Sequence, residues 1–224
     1  MSARDEILAR VRGATVDVTS TPAERVTPTV VQESSPGPVA TLDLFATTVA
    51  DYRAEVVRVP EDGVSDAVAA ALHEHGCRSA VVPTGLDPTW VAVGSAVRVV
   101  PESEVGPDRE LDAVDAVVTA ASVGIAVTGT VVLDHGPDQG RRALTLVPDT
   151  HVCVVRAAQV VHDVPEGVAR LRPEPGAARP LTWVSGPSAT SDIELERVEG
   201  VHGPRTLVVV LVDPPADPVG RDGD

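Results

Sequence analysis

Lysine is absent from the 224-residue chain, so all 18 cationic side chains are arginine. That excludes any chemistry resting on a Schiff-base or general-base lysine. Aromatic residues make up only 2% of the chain, so the core must be built from aliphatic side chains, of which Val and Ala dominate. A valine-rich core with few rings suits buried parallel strands flanked by alanine-rich helices. There are two cysteines, Cys77 and Cys153, and neither belongs to a Cys-x-x-Cys pair. Two isolated thiols hold neither an iron–sulfur cluster nor a closed zinc site by themselves, so free thiols in a reducing compartment are expected. No run approaches the roughly 18 apolar residues of a membrane span, and the start of the chain lacks the apolar stretch of a signal peptide. These absences point to a cytoplasmic protein without membrane insertion. Positive charge is also scarce: the net charge of −15 argues against a nucleic-acid partner and against an anionic membrane surface. The chain has no Gly-x-Ser-x-Gly elbow, no Walker A sequence and no complete Gly-x-Gly-x-x-Gly.

What is present is a strand–helix pattern. Residues 2–13 read as a helix capped by Ser2, with Asp5 in its first turn and Ile7, Leu8 and Val11 on one face. Residues 15–40 are Thr-, Ser-, Pro- and Glu-containing with little periodicity, and read as an irregular connection. Leu42, Phe45, Val49 and Tyr52 give residues 41–52 a helical spacing. A strand over 55–59, a helix over 65–75 capped by Ser65, and a strand over 79–82 form the unit that builds parallel sheets. Residues 86–94 leave room for a short helix around Trp90. Extended runs follow at 97–100, 113–119, 125–133, 143–146 and 152–155. The third and fourth are read as a hairpin across loop 134–142. Residues 159–164 either extend the preceding strand or start a helix, and a helical turn is read near 168–171. A strand at 181–184, a short helix at 192–198 and a strand at 206–212 complete the body. This gives an expected division into an N-terminal helical extension with linker (1–53), an α/β domain (54–212) and a solvated acidic tail (213–224).

Three stretches carry chemistry-bearing residues. Thr128-Gly129-Thr130 puts a glycine inside an extended run, which signals a bulge or a close approach to the backbone. Loop 134–142 holds His135 and ends in Arg141 and Arg142, which can clamp a carboxylate or phosphate. The third is Trp183-Val184-Ser185-Gly186-Pro187-Ser188-Ala189-Thr190-Ser191-Asp192-Ile193-Glu194, followed by Gly200-Val201-His202-Gly203-Pro204. Here an apolar run ends in a small-residue loop that opens into a helix, with Ser191 and Glu194 spaced as a capping box. Open α/β sheets place their sites in such loops, beyond the carboxyl ends of the strands. Ser185 and Ser188 have no triad partner evident in the sequence, which leaves a hydrolase unsupported. His73 and His75 are two apart on a helix and do not share a face, so a metal site there is not expected. His151, at the start of a strand, can approach the same crevice.

The runs Ile125-Ala126-Val127-Thr128-Gly129-Thr130-Val131-Val132-Leu133, Arg142 to Pro148 with His151, Ser185 to Glu194 and Gly200-Val201-His202-Gly203-Pro204 resemble the LUD-domain family, in its lactate-utilisation C group. The resemblance implies a three-layer α/β sandwich around a mostly parallel sheet, like that of glucosamine-phosphate isomerase, ribose-phosphate isomerase and coenzyme A transferases (the NagB/RpiA/CoA-transferase-like fold). It implies a role in oxidation of L-lactate to pyruvate beside partner proteins that carry iron–sulfur clusters, this chain binding none itself. Where the family has glutamate in an Ala-Glu-Thr-Gly-Thr run, this chain has Val127.

The residues then fall into roles. Thr128, Gly129, Thr130, Arg141, Arg142, Ser185, Gly186, Ser188 and Thr190 are the expected ligand-binding set for a small carboxylate or phosphate. His202 is the candidate proton carrier, with Asp192 orienting it or capping the loop. An accessory subunit of a cytoplasmic lactate-utilisation system is the first reading, a stand-alone isomerase or acyl-transfer enzyme the second and a non-catalytic scaffold the third, and homo-oligomerisation is compatible with each. The loss of a carboxylate at Val127 counts against the second.

Overall fold

The computed structural model describes residues 2–16, 36–92, 97–106, 108–171, 179–190, 198–199 and 203–215. The chain divides into two units, Met1–Glu33 and Ser34–Asp224. In the first, helix α1 (Ala3–Ala14) starts on a reciprocal cap: the Asp5 N–H donates to the Ser2 hydroxyl at 3.2 Å, and the Ser2 N–H donates to the Asp5 carboxylate at 3.0 Å. Its Ile7–Val11 stripe is exposed.

In the second unit the elements follow as α2 (Pro38–Asp51), β1 (Glu55–Val59), α3 (Val64–Glu74), β2 (Ser79–Val82), β3 (Arg98–Pro101), α4 (Asp108–Leu111), β4 (Ala116–Ala120), β5 (Val123–Ile125), β6 (Thr130–Leu133), β7 (Thr150–Arg156), β8 (Val160–Val161), α5 (Val164–Arg170), β9 (Thr182–Val184), β10 (Ala189–Thr190), β11 (Val198–Glu199) and β12 (Thr206–Val212). Six strands form one sheet in the order β1-β12-β7-β4-β2-β3, and every pairing in it is parallel. A second sheet runs β8-β5-β6-β9 with both antiparallel and parallel pairs. Among the described residues, no helix is long and apolar enough to cross a membrane.

Alternation along the central strands separates two cores. Val152 and Val154 of β7, with Val208, Val210 and Val212 of β12, face Val64, Val68 and Leu72 of α3. Cys153, Val155, Val209 and Leu211 face the other way, onto Leu42, Phe45 and Val49 of α2 and Val131 and Leu133 of β6. The remaining face of the small sheet, Val123, Ile125 and Val132, is covered by α5 through Val164. This is the expected α/β architecture around a parallel sheet. Helix α2 is part of that compact body, since Phe45 is fully buried in it and Arg58 of β1 holds Asp43 of α2 together with Asp213 after β12. The division expected at residues 53 and 54 therefore does not separate this helix from the sheet. Only residues 213–215 of the expected tail are among the described residues.

Three local expectations are corrected. Residues 125–133 are not one strand but belong to a hairpin, with β5 and β6 joined by a turn over 126–129 in which the Gly129 N–H donates to the Ala126 carbonyl at 3.3 Å. Gly129 has φ +55, and a Cβ there would lie 2.7 Å from the Thr48 carbonyl group of α2. The glycine thus answers to helix packing as well as to the turn. Residues 142–145 form a 3-10 turn rather than the partner strand of that hairpin. Its apolar residues are satisfied by burying Leu144 against Leu111 and Val117, without strand pairing, and a short apolar run has no period that tells the two apart. Finally α3 is capped by Gly63, with Ser65 inside the helix.

Candidate functional site

Strand β9 pairs antiparallel with β6, Val184 opposite Val131. It does not join the parallel sheet, so the loop after it passes over the amino ends of β7 and β12, opposite to the carboxyl-end crevice expected from the sequence. A cavity of about 330 Å³ lies there. It is lined by Arg142, Thr145 and Leu146, by His151 and Leu207 at the strand starts, by Thr182 to Ser188, and by Gly203 and Pro204.

The Ser185–Ser188 loop is held from several sides. The hydroxyls of Thr128 and Thr130 are 2.7 Å apart, and those of Thr130 and Ser185 are 2.8 Å apart, which fixes Ser185 at the cavity wall. Gly186 has φ +80 and packs on the end of α2, where an added Cβ would lie 2.5 Å from the Tyr52 carbonyl oxygen. The Ser188 N–H donates to the Pro204 carbonyl at 2.8 Å, so the two motifs met in the sequence are joined here. Thr182 is positioned by His135, whose Nε2 is 2.8 Å from the threonine hydroxyl while Nδ1 is 3.0 Å from the Gly140 carbonyl.

The two adjacent arginines part company. The Arg141 N–H donates to Glu102 at 3.1 Å, and its guanidinium donates to the Gly106 carbonyl at 2.9 Å. Arg142 lines the cavity and makes no ion pair among the described residues. Around the wall, the glycine-bearing loop closes on itself. Asp134 accepts from Ser122 at 2.7 Å, from the Gly136 N–H at 3.2 Å and from Arg179 at 2.7 Å, while Gln139 donates to Ser122 at 2.9 Å. Burial alone would raise the Asp134 carboxyl, but the Ser122 hydroxyl and the Arg179 charge outweigh it and hold it below the ordinary range.

The structure thus brings Arg142, Ser185, Gly186 and Ser188 together. Thr128, Gly129 and Thr130 stand behind them, and Arg141 is turned elsewhere. Val127 is in the β5–β6 turn, 44% exposed, and does not line the cavity. Asp192 and His202, with Ser191 and Glu194, lie outside the described residues, as does the Thr190 side chain. The sequence reading missed Thr182 and Trp183 as cavity residues. It also missed the buried contact of His151 with Thr119, whose hydroxyl also reaches Cys153, on the strand face that period-two alternation gives to both His151 and Cys153.

Comparison with known proteins follows the same outline. The LUD domain family model matches residues 12–212. The chain is 46% identical over 180 residues to "Lactate utilization protein C" of Deinococcus radiodurans, covering 79% of this chain and 83% of the relative. It is 32% identical over 99 residues to "Lactate utilization protein C" of Bacillus subtilis, covering 42% of this chain and 41% of the relative. Among solved structures, it resembles a crystal structure of a "duf162 family protein" from Deinococcus radiodurans with TM-score 0.68 and 40% identity, covering 79% of this chain and 99% of the other. The chain belongs to the LUD-domain family.

Proposed function

We propose that this chain is a cytoplasmic accessory subunit in L-lactate utilisation, acting beside iron–sulfur partner proteins and holding a small carboxylate in the cavity at the amino ends of β7 and β12. The names of its relatives support the pathway. The observation that carries the site is Arg142, a guanidinium without a protein carboxylate among the described residues, on the wall of a cavity that Ser185 and Ser188 also line. A guanidinium offers two parallel N–H donors that match a carboxylate, and the hydroxyls add neutral donors. Neutral donors around one fixed positive charge suit holding an anion more than transforming it. The iron–sulfur clusters that move electrons then belong to the partners, with this chain supplying the ligand site.

The test is growth on L-lactate. A host lacking this gene loses that growth, the intact gene restores it, and the Arg142→Gln gene does not. The iron–sulfur proteins co-purify with the intact chain. Unimpaired growth without the gene contradicts the proposal, and full restoration by Arg142→Gln removes the cavity from it.

A further inference from the structure

His151 supplies a further polar group to the same cavity and is itself 98% buried, with 2% of its surface exposed. Its Nε2 lies 2.8 Å from Thr119 Oγ1. Thr119 Oγ1 lies 3.8 Å from Cys153 Sγ, and that sulfur lies 3.7 Å from the Ala120 carbonyl oxygen. The chain of contacts has a direction. A carbonyl oxygen only accepts, so Cys153 donates its S–H to Ala120. One arrangement satisfies every contact at once: the sulfur accepts from the Thr119 hydroxyl and Thr119 Oγ1 accepts from the ring. That arrangement puts the ring proton on Nε2 and leaves Nδ1 a bare lone pair. Burial acts in the same sense, pushing the Cys153 thiol up to about 12 and pulling the His151 imidazole down to about 4, so both stay neutral near pH 7. Among the described residues Nδ1 makes no hydrogen bond.

We propose that His151 Nδ1 is the acceptor for a ligand hydroxyl, so that the cavity takes a small hydroxycarboxylate in preference to the matching oxo acid. The inference rests on the reading of this cavity as a carboxylate site, with Arg142 taking the charge. A 2-hydroxy acid offers an O–H to the lone pair. A 2-oxo acid offers only lone pairs, which face Nδ1 without a proton between them and leave both acceptors unsatisfied. Mismatch of donors and acceptors discriminates far better than a difference in size, and the two acids differ by little else. Thr119 and Cys153 are then positioning residues. They touch no ligand, and act by fixing which ring nitrogen holds the proton.

The experiment combines calorimetric titration of the full chain with nitrogen NMR of its histidine rings. The ligands are L-lactate, pyruvate and propionate, the last lacking any 2-oxygen. The expected spectrum shows His151 protonated at Nε2 and bare at Nδ1, and lactate binds about tenfold or more tightly than pyruvate. Thr119→Val removes the acceptor that holds the Nε2 proton, so the lactate-to-pyruvate ratio falls toward one while propionate affinity is unchanged. Should that variant fail to fold, the wild-type spectrum and ratio decide alone. A proton on Nδ1, or equal lactate and pyruvate affinities that both weaken in Arg142→Gln, overturns the acceptor assignment and leaves the carboxylate reading standing. Binding of none of the three acids, or binding indifferent to Arg142→Gln, overturns both.

Discussion

Thr130 opens β6 and Ser185 follows β9, and their hydroxyls meet at 2.8 Å across the antiparallel pair that sets Val131 opposite Val184. Strand register thereby decides where a cavity hydroxyl stands. Thr130→Val keeps the shape and removes the bond. It should cost about 1 kcal/mol of stability and weaken carboxylate binding severalfold, because Ser185 loses its anchor. Thermal melting and ligand titration read the two effects separately. A stability loss with unaltered affinity would show that Ser185 only holds the loop.

Two glycines pack against helix α2 where no side chain fits. Gly129→Ala and Gly186→Ala each place a methyl against the α2 backbone region from a left-handed conformation. Each should destabilise by about 1–3 kcal/mol from conformational strain, with the clash adding to it. Gly13→Ala is the control, since that position has open space around it. Urea denaturation should show lowered midpoints for the first two and none for the third.

Stability should fall on acidification in two separate windows. Folded His151 is held neutral with its value pulled down to about 4, whereas the unfolded imidazole takes a proton near 6.5. Below pH 6.5 the unfolded state binds more protons, so stability present above that pH is lost as the pH falls toward 4. The full loss is on the order of 3 kcal/mol. Asp115 and Asp134 act lower. Burial raises each, but donors overcome it: the Arg78 and Ser79 groups at Asp115, and Ser122 with Arg179 at Asp134. Both carboxyls end below the ordinary range, so their contribution is present above the unfolded value near 4 and is lost as the pH drops through the folded ones. Melting temperatures from pH 8 to 3 should show the first decline in the native chain and not in His151→Phe.

Both cysteines are buried free thiols, and burial raises each above its ordinary value, Cys153 to about 12. The thiolate is the reactive form, so neither should be labelled quickly by a thiol reagent in the folded chain. Two equivalents should react on denaturation. Rapid labelling of Cys153 in the native protein would contradict its place in the buried chain of contacts with Thr119 and His151.

Strands that are valine-rich and buried on both faces read cleanly from sequence, as β2, β7 and β12 show. So did the Ser2–Asp5 cap, whose partners are three residues apart. The corrected segments are those where a local pattern has two solutions. The run at 125–133 is apolar on both sides of Thr128-Gly129-Thr130, where a glycine suits a bulge as well as a turn, and the contact of Gly129 with α2 accompanies the turn. The run at 143–146 is too short to carry a period, and the burial of Leu144 decides its form. For the site, the Ser185–Ser188 loop stood out because small and hydroxyl residues cluster there. Arg141 and Arg142 are indistinguishable in a list of residues, and their separation depends on Glu102, 39 residues away. The end of the sheet on which the cavity lies follows from the pairing of β9 with β6, a long-range contact that no neighbouring residues encode.

The proposed site depends on Arg142 as the charge that holds a carboxylate. Calorimetric titration of the purified full chain with L-lactate, in native and Arg142→Gln forms, tests this most directly. The native chain should bind one equivalent, and the variant should lose roughly tenfold to a hundredfold in affinity, the worth of a charge-assisted hydrogen-bonded pair. Equal affinity in the two forms, or no heat from either, would contradict it.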